Sequence, residues 1–120
     1  MPGLARLGLS HTFPSALALA SADLTGLGLT RGRADAIRSF AGAVSEDAVR
    51  LDRSVSLDRL IASLTAIQGL GPWTAHYLAF RLGEPDACPI SPAEVADRWR
   101  PWRALATAHL WMVETARVAA

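Results

Sequence analysis

Leu64-Thr65-Ala66-Ile67-Gln68-Gly69-Leu70-Gly71-Pro72-Trp73-Thr74-Ala75-His76-Tyr77 is the stretch that decides how this chain folds. Two glycines one residue apart let a backbone turn tightly between two helices, with Leu70 pointing inward as a plug. Pro72 restarts the chain, because a proline suits the first helical position, where its missing N–H costs nothing. The amides at the start of the second helix then face outward. Such a cluster, with the positive end of the helix dipole behind it, binds a phosphate without reading sequence. Taken alone, Gly-x-Gly before a helix equally describes an ordinary helical corner.

Upstream, Ser56 is placed to cap a helix carrying Leu57, Leu60, Ile61, Leu64 and Ile67 on one face. Further back, Thr30 precedes Ala34, Ile37, Ala41 and Val44 at near-helical spacing. Pro14 to Ala22 forms a short helix that Gly26-Leu27-Gly28 interrupts, and residues 45–56 are a polar connector. Downstream, the helix after the hairpin runs to about Leu82, and Gly83-Glu84-Pro85-Asp86 makes a turn. Ser91-Pro92-Ala93-Glu94 matches a capping box ahead of a short helix to Trp99. Pro101 opens a last helix whose stripe is Trp102, Leu105, Ala106, His109, Leu110 and Val113. No alternating strand pattern and no repeat intervenes, so the class is all-α.

The chain of 120 residues is expected to form one domain. All twelve basic residues are Arg, yet the formal net charge is only +1, which excludes a polybasic arm wrapping nucleic acid and makes any DNA contact local. At 51% hydrophobic, so small a chain is expected to leave apolar faces without a partner, available to a protein or to self-association. One cysteine, Cys88, excludes an internal disulfide and a multi-thiolate zinc site and points to a cytoplasmic setting. No signal peptide and no membrane span is read, so no membrane partner is expected. His11, His76 and His109 lack the spacing of a metal site and are read as structural.

The hairpin resembles that of the helix-hairpin-helix DNA glycosylase superfamily, and most closely its AlkA branch, the DNA-3-methyladenine glycosylase II type. Gly28-Leu29-Thr30-Arg31-Gly32-Arg33-Ala34, Gly83-Glu84-Pro85-Asp86-Ala87 and Trp99-Arg100-Pro101-Trp102-Arg103, leading to His109-Leu110-Trp111, extend the likeness in order over nearly the whole chain. The resemblance implies a helical bundle around hairpin 64–82, truncated relative to the family. It implies that the backbone of double-stranded DNA is held by Gly69, Leu70, Gly71 and Thr74. It also implies a structural monovalent ion on the main-chain carbonyls of Thr65, Ile67 and Leu70, with no other cofactor. Trp73 fills the position of the Schiff-base lysine of bifunctional members, and the absence of any lysine excludes lyase chemistry by that route.

By the same resemblance, Trp73, Tyr77 and Trp111 line a pocket for a flipped base, where electron-rich rings attract a cationic alkylated purine. By spacing alone, core packing is the commoner fate of such rings. Trp99 and Trp102 are assigned to packing between the last two helices, and Arg98, Arg100 and Arg103 either touch phosphates or, the commoner case, solvate that corner. Relatives carry a catalytic Asp in a stretch after the Gly-x-x-Asp turn. Here Asp86-Ala87-Cys88-Pro89-Ile90 passes directly to Ser91, so that stretch reads as deleted and no catalytic residue is assigned. Asp86, Glu94 and Asp97 are weak substitutes. The implied function is DNA repair, related to monofunctional N-glycosylases that excise alkylated purines. The alternatives are a DNA-binding module without chemistry and a degraded piece of a glycosylase.

Overall fold

The computed structural model describes the backbone of residues 5–90 and 93–119 and the side chains of residues 6–90 and 96–119. Among them are five α-helices, three 3-10 segments and no strand, as the periodicity predicts. The capping box at Ser91–Glu94 and the side chain of Glu94 lie outside the described residues.

Helix α1 (Ala16–Ala20) starts where the Ser15 hydroxyl accepts the Ala18 N–H at 3.2 Å. A 3-10 turn, Thr25–Leu27, ends at Gly28, whose φ of 71° is a left-handed conformation that glycine adopts without a Cβ penalty. Thr30 then caps α2 (Arg31–Ser45) and Ser56 caps α3 (Leu57–Thr65), each accepting from the third residue on. The caps at Thr30 and Ser56 are where the sequence puts them, and Ser15 adds a third that is not predicted, because a short side-chain oxygen satisfies an amide that the first turn leaves free.

Helix α3 turns through the hairpin into α4 (Pro72–Arg81). The core lies between these two, with Val49, Leu60, Leu64, Ala75, Ala79 and Ala87 buried together and Phe40, Leu51 and Leu78 packed on them. Leu64, Ala75 and Ala79 have no solvent exposure. Two alanines on the buried side of α4 let its backbone come close to α3, so helices this short still bury a continuous seam. Leu70 is partly buried against this core, as its role of plug requires.

The chain's end departs from expectation. Helix α5 (Arg103–Ala119) begins two residues after Pro101, because the Trp102 N–H first closes a turn onto the Trp99 carbonyl at 2.8 Å. The predicted stripe does not face the body. Leu105 is 67% exposed and Trp102 58%, so Trp102 is not packing between helices, while α5 buries Arg103 and Thr107 instead. The cause is electrostatic: Arg103 is matched by the carboxylate of Asp86, and that pair sets the rotation of the helix. The radius of gyration is 17.1 Å, against about 13.6 Å for a compact chain of this length. The apolar surplus read from composition is thus visible as exposed side chains.

Candidate nucleic-acid interface

The two hairpin glycines do different work. Gly69 has φ +93°, and a Cβ there would sit 2.8 Å from the Cβ of Ala36 on α2, so both conformation and space demand glycine. Gly71 is extended, with φ −85°, and a Cβ would meet nothing within 4 Å. Its bareness clears the approach to the start of α4.

That start is rich in unspent donors. No side chain caps α4, Pro72 has no N–H, and the N–H groups of Gly71, Trp73 and Thr74 have no acceptor among the described residues. An anion placed there would meet converging amides at the positive end of the helix. Leu70 is a correction within this set: its N–H donates to the Ile67 carbonyl at 3.1 Å inside the turn and is not free for DNA. The carbonyls of Thr65 and Leu70 accept no backbone hydrogen bond among the described residues, and that of Ile67 accepts only the Leu70 N–H. Neutral carbonyl oxygens clustered in a turn fit a hard cation, so the chemistry of the three donors suits the implied ion.

Three rings that the sequence separates by up to 38 positions come together on the outer side of α4. Trp73 and Tyr77 stack with centroids 5.3 Å apart and planes 7° from parallel. Trp111 of α5 reaches Tyr77 at 6.2 Å and meets Phe80 edge-on at 5.3 Å. Phe80 was not singled out, although it lies seven residues after Trp73, two helical turns along the same face. The rings form a platform rather than a slot. A planar base between two parallel rings needs about 7 Å, twice the van der Waals contact distance, and Trp73 and Tyr77 already fill each other's faces. The free surface is the outer face of Trp73, which is 52% exposed.

Among the described residues, no carboxylate is seen to join these rings. Asp86 is taken up by Arg103, whose Nε and Nη2 donate to its two oxygens at 2.8 and 3.0 Å, and by Arg100 at 2.7 Å. Burial would raise its pKa, but the hydrogen bond and charge of Arg103 outweigh that and hold it below the usual carboxylate value. Asp97 accepts from Arg100 at 3.2 Å. Of the three arginines assigned to solvating this corner, Arg103 is buried in an ion pair, Arg100 bridges Asp86 and Asp97, and Arg98 stacks over Trp99.

A separate cavity of about 420 Å³ is lined by Asp58, Ile61, His76, Asp97, Arg100 and Arg103, and none of the three pocket rings borders it. His76 is structural, as expected: its Nδ1 accepts the Cys88 N–H at 3.1 Å, tying α4 to the buried segment Ala87-Cys88-Pro89. Burial, then the nearby Arg103, lowers its pKa. Cys88 is buried, as a small hydrophobe would be.

Over 86% of its length the chain is 37% identical to a protein of Mycobacterium tuberculosis described as a probable bifunctional transcriptional activator/DNA repair enzyme AlkA. Over 85% it is 32% identical to DNA-3-methyladenine glycosylase 2 of Escherichia coli. The chain belongs to the AlkA-like branch of the helix-hairpin-helix DNA glycosylases. It spans 25% and 43% of the lengths of those two relatives. No family model matches the chain, and no solved structure does. The mycobacterial match runs over 123 positions, whereas 86% of 120 residues is about 103, so some 20 positions of this AlkA-like alignment find no counterpart here.

Proposed function

We propose that this chain is a DNA-repair-related module that grips duplex DNA through the hairpin and offers Trp73 to an electron-poor, alkylated base, without itself hydrolysing the glycosidic bond. The observation that carries this reading is the adjacency of the two parts. The free amides of Gly71, Trp73 and Thr74 and the exposed ring of Trp73 occupy one end of one helix. A phosphate held at the first is followed, along one strand, by a base within reach of the second. Stacking on such a ring contributes about 1–3 kcal/mol per base and is strengthened when the base is cationic. An ion on the carbonyls of Thr65, Ile67 and Leu70 would add positive charge beside the same phosphate.

Hydrolysis needs a fixed carboxylate beside the sugar. Asp86 and Asp97 are held by arginines, and the sequence passes from Pro89-Ile90 directly to Ser91, where the resemblance would place the catalytic stretch. Binding without excision is therefore favoured over an active N-glycosylase. A cytoplasmic, nucleoid-associated setting goes with this reading.

Anisotropy of labelled duplexes, intact or with an abasic site or a methylated purine, tests it in parallel with a mass assay for released 3-methyladenine. Expected are salt-sensitive binding that prefers the damaged duplex, and no base release above buffer. Damage-indifferent binding, or none, would overturn the proposal, and released base would restore the enzyme.

A further inference from the structure

The cleft of about 420 Å³ beside His76 is bordered by neither the hairpin nor the three rings, and its polar groups are not all spent. Arg103 donates from Nε and Nη2 to Asp86, but its Nη1 makes no hydrogen bond and lies 3.7 Å from Asp97 Oδ1, beyond hydrogen-bonding distance. Arg103 is 4% exposed and lines the cleft. Among the described residues no fully buried side-chain nitrogen or oxygen lacks a partner, so the unspent Nη1 is a group that opens on this space. A guanidinium this deeply set, with N–H groups to spare, is a donor fixed in position for an acceptor.

His76 adds a second donor. Its Nδ1 accepts the Cys88 N–H, which puts the ring hydrogen on Nε2, and Nε2 has no partner among the described residues. Arg100 adds a third, because Nε and Nη1 are spent on Asp97 and Asp86 while Nη2 is spent on nothing described. Acceptors line the same space. Asp58, in the first turn of α3, makes no hydrogen bond or ion pair among the described residues, and Asp97 keeps Oδ2 unused. Ile61 and Ala62, three and four residues after Asp58, continue that face of α3 as an apolar wall.

Charge narrows the class of ligand. The three carboxylates of Asp58, Asp86 and Asp97 outnumber the two guanidiniums of Arg100 and Arg103, so the cluster disfavours a phosphate or another anion. A bare cation would meet the three N–H donors. The volume lies within the roughly 300–1,000 Å³ of small-molecule sites and is far larger than one ion needs. What fits is a neutral, flat molecule that accepts along one edge and donates along another.

We propose that this cleft binds a guanine-type purine, as free base or nucleoside, with O6 and N7 on the N–H groups of Arg103 and His76 and with N1–H and the 2-amino group on Asp58. Guanine carries two acceptors side by side, the pair that an arginine meets, and on its next edge two donors that a carboxylate meets with both oxygens. Adenine has a donor where guanine has O6 and lacks the paired donors. The apolar face of the ring lies against Ile61 and Ala62. Nothing in this site depends on DNA held at the hairpin.

NMR titration of the isotope-labelled chain with guanosine tests it. Expected are saturable shifts of the His76 imidazole and of the Cys88 amide bonded to it. Inosine, which differs only in lacking the 2-amino group, is expected to bind about ten-fold more weakly, as is guanosine to Asp58→Asn, whose far-ultraviolet circular dichroism should be unchanged. Inorganic phosphate is expected to leave His76 and Cys88 where they are. The absence of saturable shifts, or shifts centred on Trp73, Tyr77 and Trp111 in their place, would overturn the proposal. So would equal affinity for inosine, equal affinity in Asp58→Asn, or the same response to phosphate.

Discussion

Arg103 and Asp86 meet as a two-bond pair across 17 residues of sequence, with Arg103 4% exposed. It ties α5 to the turn after α4 and orients Trp111 toward Tyr77 and Phe80. Removing one partner leaves the other charge buried, which typically costs 3–5 kcal/mol and less where the carboxylate retains some water. Asp86→Asn is therefore expected to destabilise the fold by about 2–3 kcal/mol in urea unfolding. The pKa of Asp86 is depressed in the folded state, so its contribution is complete above the unfolded value near 4 and is lost as pH falls through the lower folded value. An Asp86→Asn chain should lose less stability than the unaltered one between pH 5 and about pH 3.

His76 titrates in a different window. Its folded pKa lies below 6.5 because burial and Arg103 disfavour the cation, and protonating Nδ1 would also remove the acceptor of the Cys88 N–H. The unfolded chain thus binds the proton more readily, so stability is full above about pH 6.5 and declines as pH falls from there through the folded pKa. Thermal melting from pH 7.5 to 5 should show this decline, and His76→Asn should abolish it. An unchanged pH profile in that variant would contradict the assignment.

The hairpin glycines should separate cleanly. Gly69→Ala forces a Cβ into a left-handed backbone and against Ala36, and is expected to cost about 2 kcal/mol or more. Adding Ala36→Gly should recover the part due to the clash but not the part due to φ. Gly71→Ala, extended and open, should change unfolding by less than about 0.5 kcal/mol. Chemical denaturation of the four chains measures all of this.

Trp73 is half exposed and stacked on Tyr77, so Trp73→Ala should lower stability only modestly, by about the 0.5–1.5 kcal/mol of an aromatic pair plus the buried part of the ring. Its loss should nevertheless weaken binding to a duplex carrying a methylated purine by about 1–3 kcal/mol, roughly five-fold to 150-fold. Trp73→Phe should recover part of that, because a smaller ring still stacks. Equal affinity in all three chains would remove Trp73 from the interface.

Much of the fold was legible in order alone. Ser15 aside, the caps at Thr30 and Ser56, the break at Gly28 and the proline start of α4 follow from local chemistry, in which one residue satisfies or denies a hydrogen bond a few positions away. The Leu60–Leu64 seam follows from helical period. The grouping of Trp73, Tyr77 and Trp111 came through family resemblance, and their contact is what the fold delivers.

What order could not supply was every feature set by a partner distant in sequence. The rotation of α5 is one, since the apolar stripe predicts burial of Leu105 and the pair between Asp86 and Arg103 turns it outward. The demand for glycine at 69 but not at 71 is another, because Ala36 of α2 presses on only one of them. The closed stack of Trp73 on Tyr77 is a third: i,i+4 spacing puts two rings on one face, but only packing decides whether a base fits between them or on top. Hydrogen bonds within a turn are short-range and written in the sequence, whereas charge pairing and steric contact across helices act through space, and their outcome exists only once the helices have met.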